Sequence, residues 1–79
     1  MNAKIYSMNS ILVFKTSITS QGEIKQLKPA LNGLITKNGY WNFDLEDCDN
    51  IFRVETKTVT PSSILQLFKS FGFYCEELV

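Results

Sequence analysis

The chain predicts an α+β sandwich in the order strand, helix, strand, strand, helix, strand. Three observations carry that prediction. Short segments rich in aromatic and β-branched residues alternate apolar with polar positions, the period of a strand. Two other segments repeat apolar residues at helical spacing. Each of those two opens on a hydroxyl residue suited to a helix cap, Ser20 and Thr60.

The first strand is expected over Ser10 to Ile18. Leu12, Phe14, Thr16 and Ile18 share one face; Val13, Lys15 and Ser17 share the other. The first helix is expected from Ser20 to about Asn32. Ser20 and Glu23 have capping-box spacing, with the hydroxyl on the Glu23 amide and the carboxylate returning to the Ser20 amide. Ile24, Leu27, Ala30 and Leu31 form its apolar stripe. Pro29 lies inside it and predicts a kink or an irregular last turn, because proline removes one helix bond and crowds the preceding turn. Asn32-Gly33 is the expected stop, and Asn38-Gly39 a turn in the connection that follows.

Tyr40 to Leu45 alternates strongly, with Trp41, Phe43 and Leu45 inward. An acidic turn, Glu46-Asp47-Cys48-Asp49-Asn50, leads into a strand over Ile51 to Thr56 with Phe52 and Val54 inward. Thr60-Pro61 starts the second helix, whose stripe is Ile64, Leu65, Leu67, Phe68 and Phe71, and Gly72 closes it. Phe73 to Val79 is the expected last strand. Two strand-helix-strand units in one short chain imply a ferredoxin-like sandwich. Its antiparallel sheet has the order 4-1-3-2, with both helices on one face. Ile11, Val13, Lys15, Tyr40, Asn42, Ile51, Arg53, Tyr74 and Glu76 are expected on the other, open face.

Composition narrows function by exclusion. The chain has 79 residues, which is one domain: a tail over 1–9, with Met8 as an alternative start, then a domain over 10–79. Eight basic and eight acidic residues give zero net charge, against a nucleic-acid binder or a polybasic membrane anchor. Zero net charge also lowers colloidal repulsion, so a weak homodimer is an expected property. With no histidine, no Ser/His or Cys/His catalytic pair exists. No apolar run reaches the roughly 18–20 residues of a membrane span, and the first residues lack a signal-peptide core. Cys48 and Cys75 do not make a disulfide framework. A cytoplasmic location is expected.

The chain from about Ile11 to Leu78 resembles the heavy-metal-associated (HMA) domains of copper chaperones and metal-pumping ATPases. The likeness rests on Ile18-Thr19-Ser20-Gln21-Gly22-Glu23 in place of the family's Met-Thr-Cys-x-x-Cys, followed by Ile24, Leu27 and Ala30-Leu31. Phe43-Asp44-Leu45, Thr60-Pro61 and Gly72-Phe73 match further family positions. The resemblance implies the ferredoxin-like fold. It places the two metal thiolates at Ser20 and Glu23, and neither is a thiol. A hydroxyl and a carboxylate do not replace a thiolate pair for Cu(I). The degenerate loop therefore implies no metal and no cofactor.

What remains is a non-enzymatic module for protein interaction, with Tyr40, Ile51 and Tyr74 as an apolar contact patch and free edge strands beside it. The alternative is a Cu or Zn protein with a displaced site at Cys48 or Cys75. Those two cysteines belong to strands on opposite edges, about 14 Å apart at one strand spacing per step. One metal needs sulfurs within about 4 Å, so a shared site would require a second subunit. Asp44, Glu46, Asp47 and Asp49 lack the glycine and the ligand spacing of a calcium loop and read as a solvated turn that doubles as a patch for a basic partner. Ser20 with Glu23 lacks the third group that orients a catalytic base. Trp41 reads as core, and Ile51 to Thr56 lacks the glycine-aromatic pattern of an RNA-binding sheet.

Overall fold

The structure, a computed structural model, describes residues 10–35, 39–46 and 48–78. The predicted tail, Asn38 of the predicted turn, Asp47 of the acidic turn and the terminal Val79 lie outside these residues. The elements are β1 (Ser10–Thr16), α1 (Gln21–Leu34), β2 (Tyr40–Asp44), β3 (Ile51–Thr56), α2 (Pro61–Ser70) and β4 (Cys75–Glu77). They form an α+β domain with one open antiparallel sheet in the order β2-β3-β1-β4, which counted from the β4 edge is 4-1-3-2. β1 and β3 are central, and among the described residues β2 and β4 form the two edges without a further strand.

The core sits where the inward parities of the sheet meet both helices. Phe14, Phe52 and Val54 from the sheet join Leu27 and Leu31 of α1 and Ile64 and Phe68 of α2 in one buried cluster, so both helices cover the same sheet face. Ile18 and Ile35, just outside regular elements, complete it. Phe52 is the hub. Its ring lies 4.8 Å from Phe43, 5.3 Å from Phe68, 6.0 Å from Phe14 and 6.1 Å from Trp41, centroid to centroid. Trp41 is half-buried rather than fully enclosed, and its indole N–H donates to Asn32 Oδ1 at 3.0 Å, tying β2 to α1. An amphipathic ring at the rim of a core needs such a partner for its polar tip.

Four expectations are corrected. α1 does not stop at Asn32-Gly33 but runs through Pro29 to Leu34, and Ile35 caps it in an extended conformation with its amide on the Leu31 carbonyl at 2.7 Å. A helix-interior proline costs about 3 kcal/mol. Beyond it, Leu31 and Ile35 are buried, and each such side chain returns about 1.5–3 kcal/mol, so continuing the helix is favourable. Pro29 itself faces solvent.

β4 is shorter than expected at its start. Gly72 adopts φ +82°, its amide bonds the Lys69 carbonyl at 2.9 Å, and the Phe73 amide bonds the Phe68 carbonyl at 3.0 Å. That is a Schellman cap, which commits Phe73 to the end of α2.

β1 ends at Thr16, although Ile18 keeps the inward parity and is fully buried. Finally, Ile51 has open-face parity but is only 5% exposed. It lies between Lys15 of β1 and Asp44 of β2. As a residue of a central strand it is flanked by a paired strand on each side, which leaves it little accessible surface.

Candidate functional site

The junction between β1 and α1 is where the sequence concentrates its polar side chains, and the structure accounts for them one by one. Thr16 is buried at the end of β1. Its amide bonds the Asp49 carbonyl at 3.3 Å, and its hydroxyl donates to the Asn50 carbonyl at 2.7 Å and accepts from the Ile18 amide at 3.1 Å. The Ser17 amide donates to the Tyr74 carbonyl at 3.1 Å, and the Tyr74 amide returns to Ser17 Oγ at 2.9 Å. The Thr19 amide donates to Glu23 Oε1 at 2.8 Å. Ser20 caps α1, its Oγ accepting from the Glu23 amide at 3.2 Å. The backbone amides of Thr16, Ser17, Ile18 and Thr19 thus already have acceptors. A loop that binds a ligand through its backbone needs donors to spare, and these four amides are already engaged within the chain.

The capping box differs in one partner from the expected one. The Ser20 hydroxyl is on the Glu23 amide as predicted, but the Glu23 carboxylate reaches the Thr19 amide rather than that of Ser20, with the Thr19 hydroxyl 3.4 Å away as a second donor. Thr19, one residue before the N-cap, offers two donors to one oxygen. Ser20→Ala is expected to cost about 1 kcal/mol, the usual scale for a lost cap. Urea denaturation of the two proteins checks it, and unchanged stability would mean the cap bond contributes nothing.

The hairpin turn shows the same economy. Asp44 Oδ1 accepts from the Glu46 amide at 3.2 Å, and Asp49 lies 3.8 Å from Lys15 Nζ. Asn50 takes φ +51°, a left-handed conformation that asparagine tolerates better than most residues, and this aims its carbonyl at Thr16. Among the described residues no group of three or more Cys, Asp or Glu side chains is placed to hold a metal ion.

Both cysteines are free. Cys48 is exposed in the turn, while Cys75 is half-buried in β4, opposite Thr16. The turn's Asp49 and Asn50 bond Thr16 from the β3 side, so Thr16 separates the turn from Cys75. Burial pushes the Cys75 thiol up to about 12. It is therefore a neutral thiol at physiological pH, and the thiolate is the form that binds metals and attacks disulfides.

The predicted contact patch is not contiguous. Tyr40 and Tyr74 are 63% and 54% exposed, but they occupy opposite corners of the open face. Tyr40 pairs with Glu55 at one end of the sheet, and Tyr74 bonds Ser17 at the other. About six residues of strand length and three strand spacings, roughly 25 Å in all, lie between them. Ile51, between the two, is buried. The Tyr74 hydroxyl donates to Glu76 Oε1 at 2.6 Å, and that hydrogen bond raises the pKa of the phenol.

The structure brings together a different pair. Ile11 and Tyr40 flank Glu55 from β1 and β2, and Ile11 is 65% exposed. With Asn42, Arg53 and Val54 they line a depression of about 110 Å³, small beside the roughly 300–1,000 Å³ of ligand pockets. A shallow trough of about 420 Å³ follows β2, past Gln21, Asn42, Phe43, Asp44, Glu46 and Arg53. Asn42 borders both, and its Oδ1 is buried without a hydrogen-bond partner. Sequence reasoning put Asn42 on the open face but saw nothing else in it, since a missing hydrogen bond leaves no mark in a one-dimensional pattern.

Fold and site together define a small α+β domain with an open antiparallel sheet, a closed strand-to-helix junction and an apolar corner at Ile11 and Tyr40. No helix among the described residues is long and apolar enough to cross a membrane. No family model, no curated protein and no solved structure matches the chain.

Proposed function

We propose that this chain is a ferredoxin-like, HMA-like domain that has lost the thiolate metal site and acts without catalysis as a protein-interaction module. The βαββαβ order, with β1 and β3 central and both helices on one face, supports the ferredoxin-like reading. The observation that carries the functional reading is the junction itself. At the two positions where the resemblance places thiolates, Ser20 and Glu23 serve the cap of α1 through bonds at 3.2 and 2.8 Å. What the domain offers instead is surface: the exposed Ile11–Tyr40 corner and the free edge of β2 beside it.

Anaerobic Cu(I) titration against a competing chelator tests this reading. The wild-type chain is expected to show no stoichiometric binding tighter than micromolar. The double variant Ser20→Cys, Glu23→Cys is expected to gain it, because a thiolate pair suits a soft ion. Tight wild-type binding would overturn the reading, and a double variant that stays inert would remove the HMA-like register.

A further inference from the structure

We infer that the partner at the β2 edge is a second copy of this chain, joined antiparallel about a two-fold axis through Asn42, so that two sheets become one. The inference rests on the interaction-module reading above and commits it to one occupant.

The two free edges of the sheet differ. β4 has three residues, two of them Glu76 and Glu77. Self-pairing over its whole length sets Glu76 against its own copy, and like charges directly opposite are destabilising. β2 has five residues, Tyr-Trp-Asn-Phe-Asp, with no proline, no lysine and one carboxylate. These are the devices by which edges normally refuse partners, and β2 lacks most of them. A trough also follows this edge.

The sequence of β2 is complementary to itself. A two-fold axis perpendicular to a sheet keeps each side chain on its own face, so it must pass through a residue opposite itself. Only an axis at Asn42 pairs all of Tyr40–Asp44. In that register the Tyr40 hydroxyl faces the Asp44 carboxylate of the second copy, donor to acceptor. Trp41 faces Phe43 on the helix side, an aromatic cross-strand pair. Asn42 faces Asn42, with Cβ atoms about 4.5–5.5 Å apart. An amide carries both donor and acceptor, so two of them across an axis satisfy each other. Asn42 Oδ1, buried and unpartnered in the single chain, gains its missing donor after a side-chain rotation. A five-residue edge is small beside the surface of about 800 Å² per partner that stable complexes bury, so the dimer is a weak, concentration-dependent one.

Sedimentation equilibrium of the full chain, over a concentration series up to the millimolar range, tests this. The wild type is expected to dimerise reversibly. Asn42→Lys and Asn42→Glu are each expected to weaken the dimer at least about tenfold, since like charges then meet on the axis. Their equimolar mixture is expected to associate again, because residue 42 meets itself only in this register. Circular dichroism shows whether each variant is folded. Should one fail to fold, an isotope-filtered NOE spectrum of mixed labelled and unlabelled wild type provides the same test through Tyr40-to-Asp44 contacts between copies. A monomeric wild type, a mixture no tighter than its components, or absent intermolecular contacts would overturn the dimer. Those outcomes leave the Cu(I) result untouched, so failure of the dimer and failure of the interaction-module reading are separable.

Discussion

Phe52→Ala should remove a large share of the domain's stability, on the order of 3–5 kcal/mol. Phe52 is fully buried, and its ring neighbours come from β1, β2 and α2. Truncating a core phenylalanine costs about 3–5 kcal/mol through lost transfer energy and the cavity left behind. A domain of this length is stabilised by roughly 4–12 kcal/mol in total. The central strand position makes collapse of the cavity difficult, because neighbours on both sides are held by ladder bonds. Thermal unfolding followed by near-ultraviolet circular dichroism should show the midpoint falling by about 15 °C or more, at about 4–8 °C per kcal/mol for a domain this small. Phe71→Ala is the control. Phe71 is 40% exposed, and its loss should move the midpoint only slightly. Comparable losses for the two would mean that the aromatic cluster does not hold the fold.

Thr16→Val should destabilise by about 2–3 kcal/mol although it preserves shape. The hydroxyl is buried and serves two backbone groups, the Asn50 carbonyl and the Ile18 amide. Removing it leaves an unmet acceptor and an unmet donor, and each buried orphan costs about 1–3 kcal/mol. The effect reaches beyond stability because Thr16 joins β1, the hairpin turn and the approach to α1. Hydrogen exchange at Ile18 should accelerate in the valine variant more than the global stability loss explains. Thr16→Ser, which keeps the hydroxyl, should recover most of the difference in denaturant unfolding. Equal losses for valine and serine would mean that the hydroxyl's two bonds contribute no more than the packing of the methyl group.

The legibility of this chain divides along the range of the interactions. The inward faces of β1, β2 and β3 follow from alternation, and Leu12, Phe14, Thr16 and Ile18 share the core side as their spacing demands. The caps at Ser20 and Thr60 are equally local: Thr60 Oγ1 accepts from the Ser63 amide at 3.3 Å, with Pro61 at the first helical position. The candidate junction was legible as a cap and illegible as a closed network, because its partners Asn50 and Tyr74 lie far away in sequence. The separation of Tyr40 from Tyr74 and the burial of Ile51 are illegible in the sequence for a related reason. Parity places Tyr40, Ile51 and Tyr74 on one face, but parity carries no information about distance along that face or about which neighbours cover a position.

By itself, then, the sequence determined the order of elements, the buried faces and the absence of a thiolate pair at the strand-to-helix junction, all of which depend on residue type and short-range spacing. Tertiary structure alone decided that α1 continues past Pro29, because the burial of Leu31 and Ile35 outweighs the proline's cost. It decided that Ile51 is covered, by strands on both sides. It left Asn42 Oδ1 buried without a hydrogen-bond partner, on a strand at the edge of the sheet. Each of these depends on what another part of the chain brings into contact, and periodicity does not encode that.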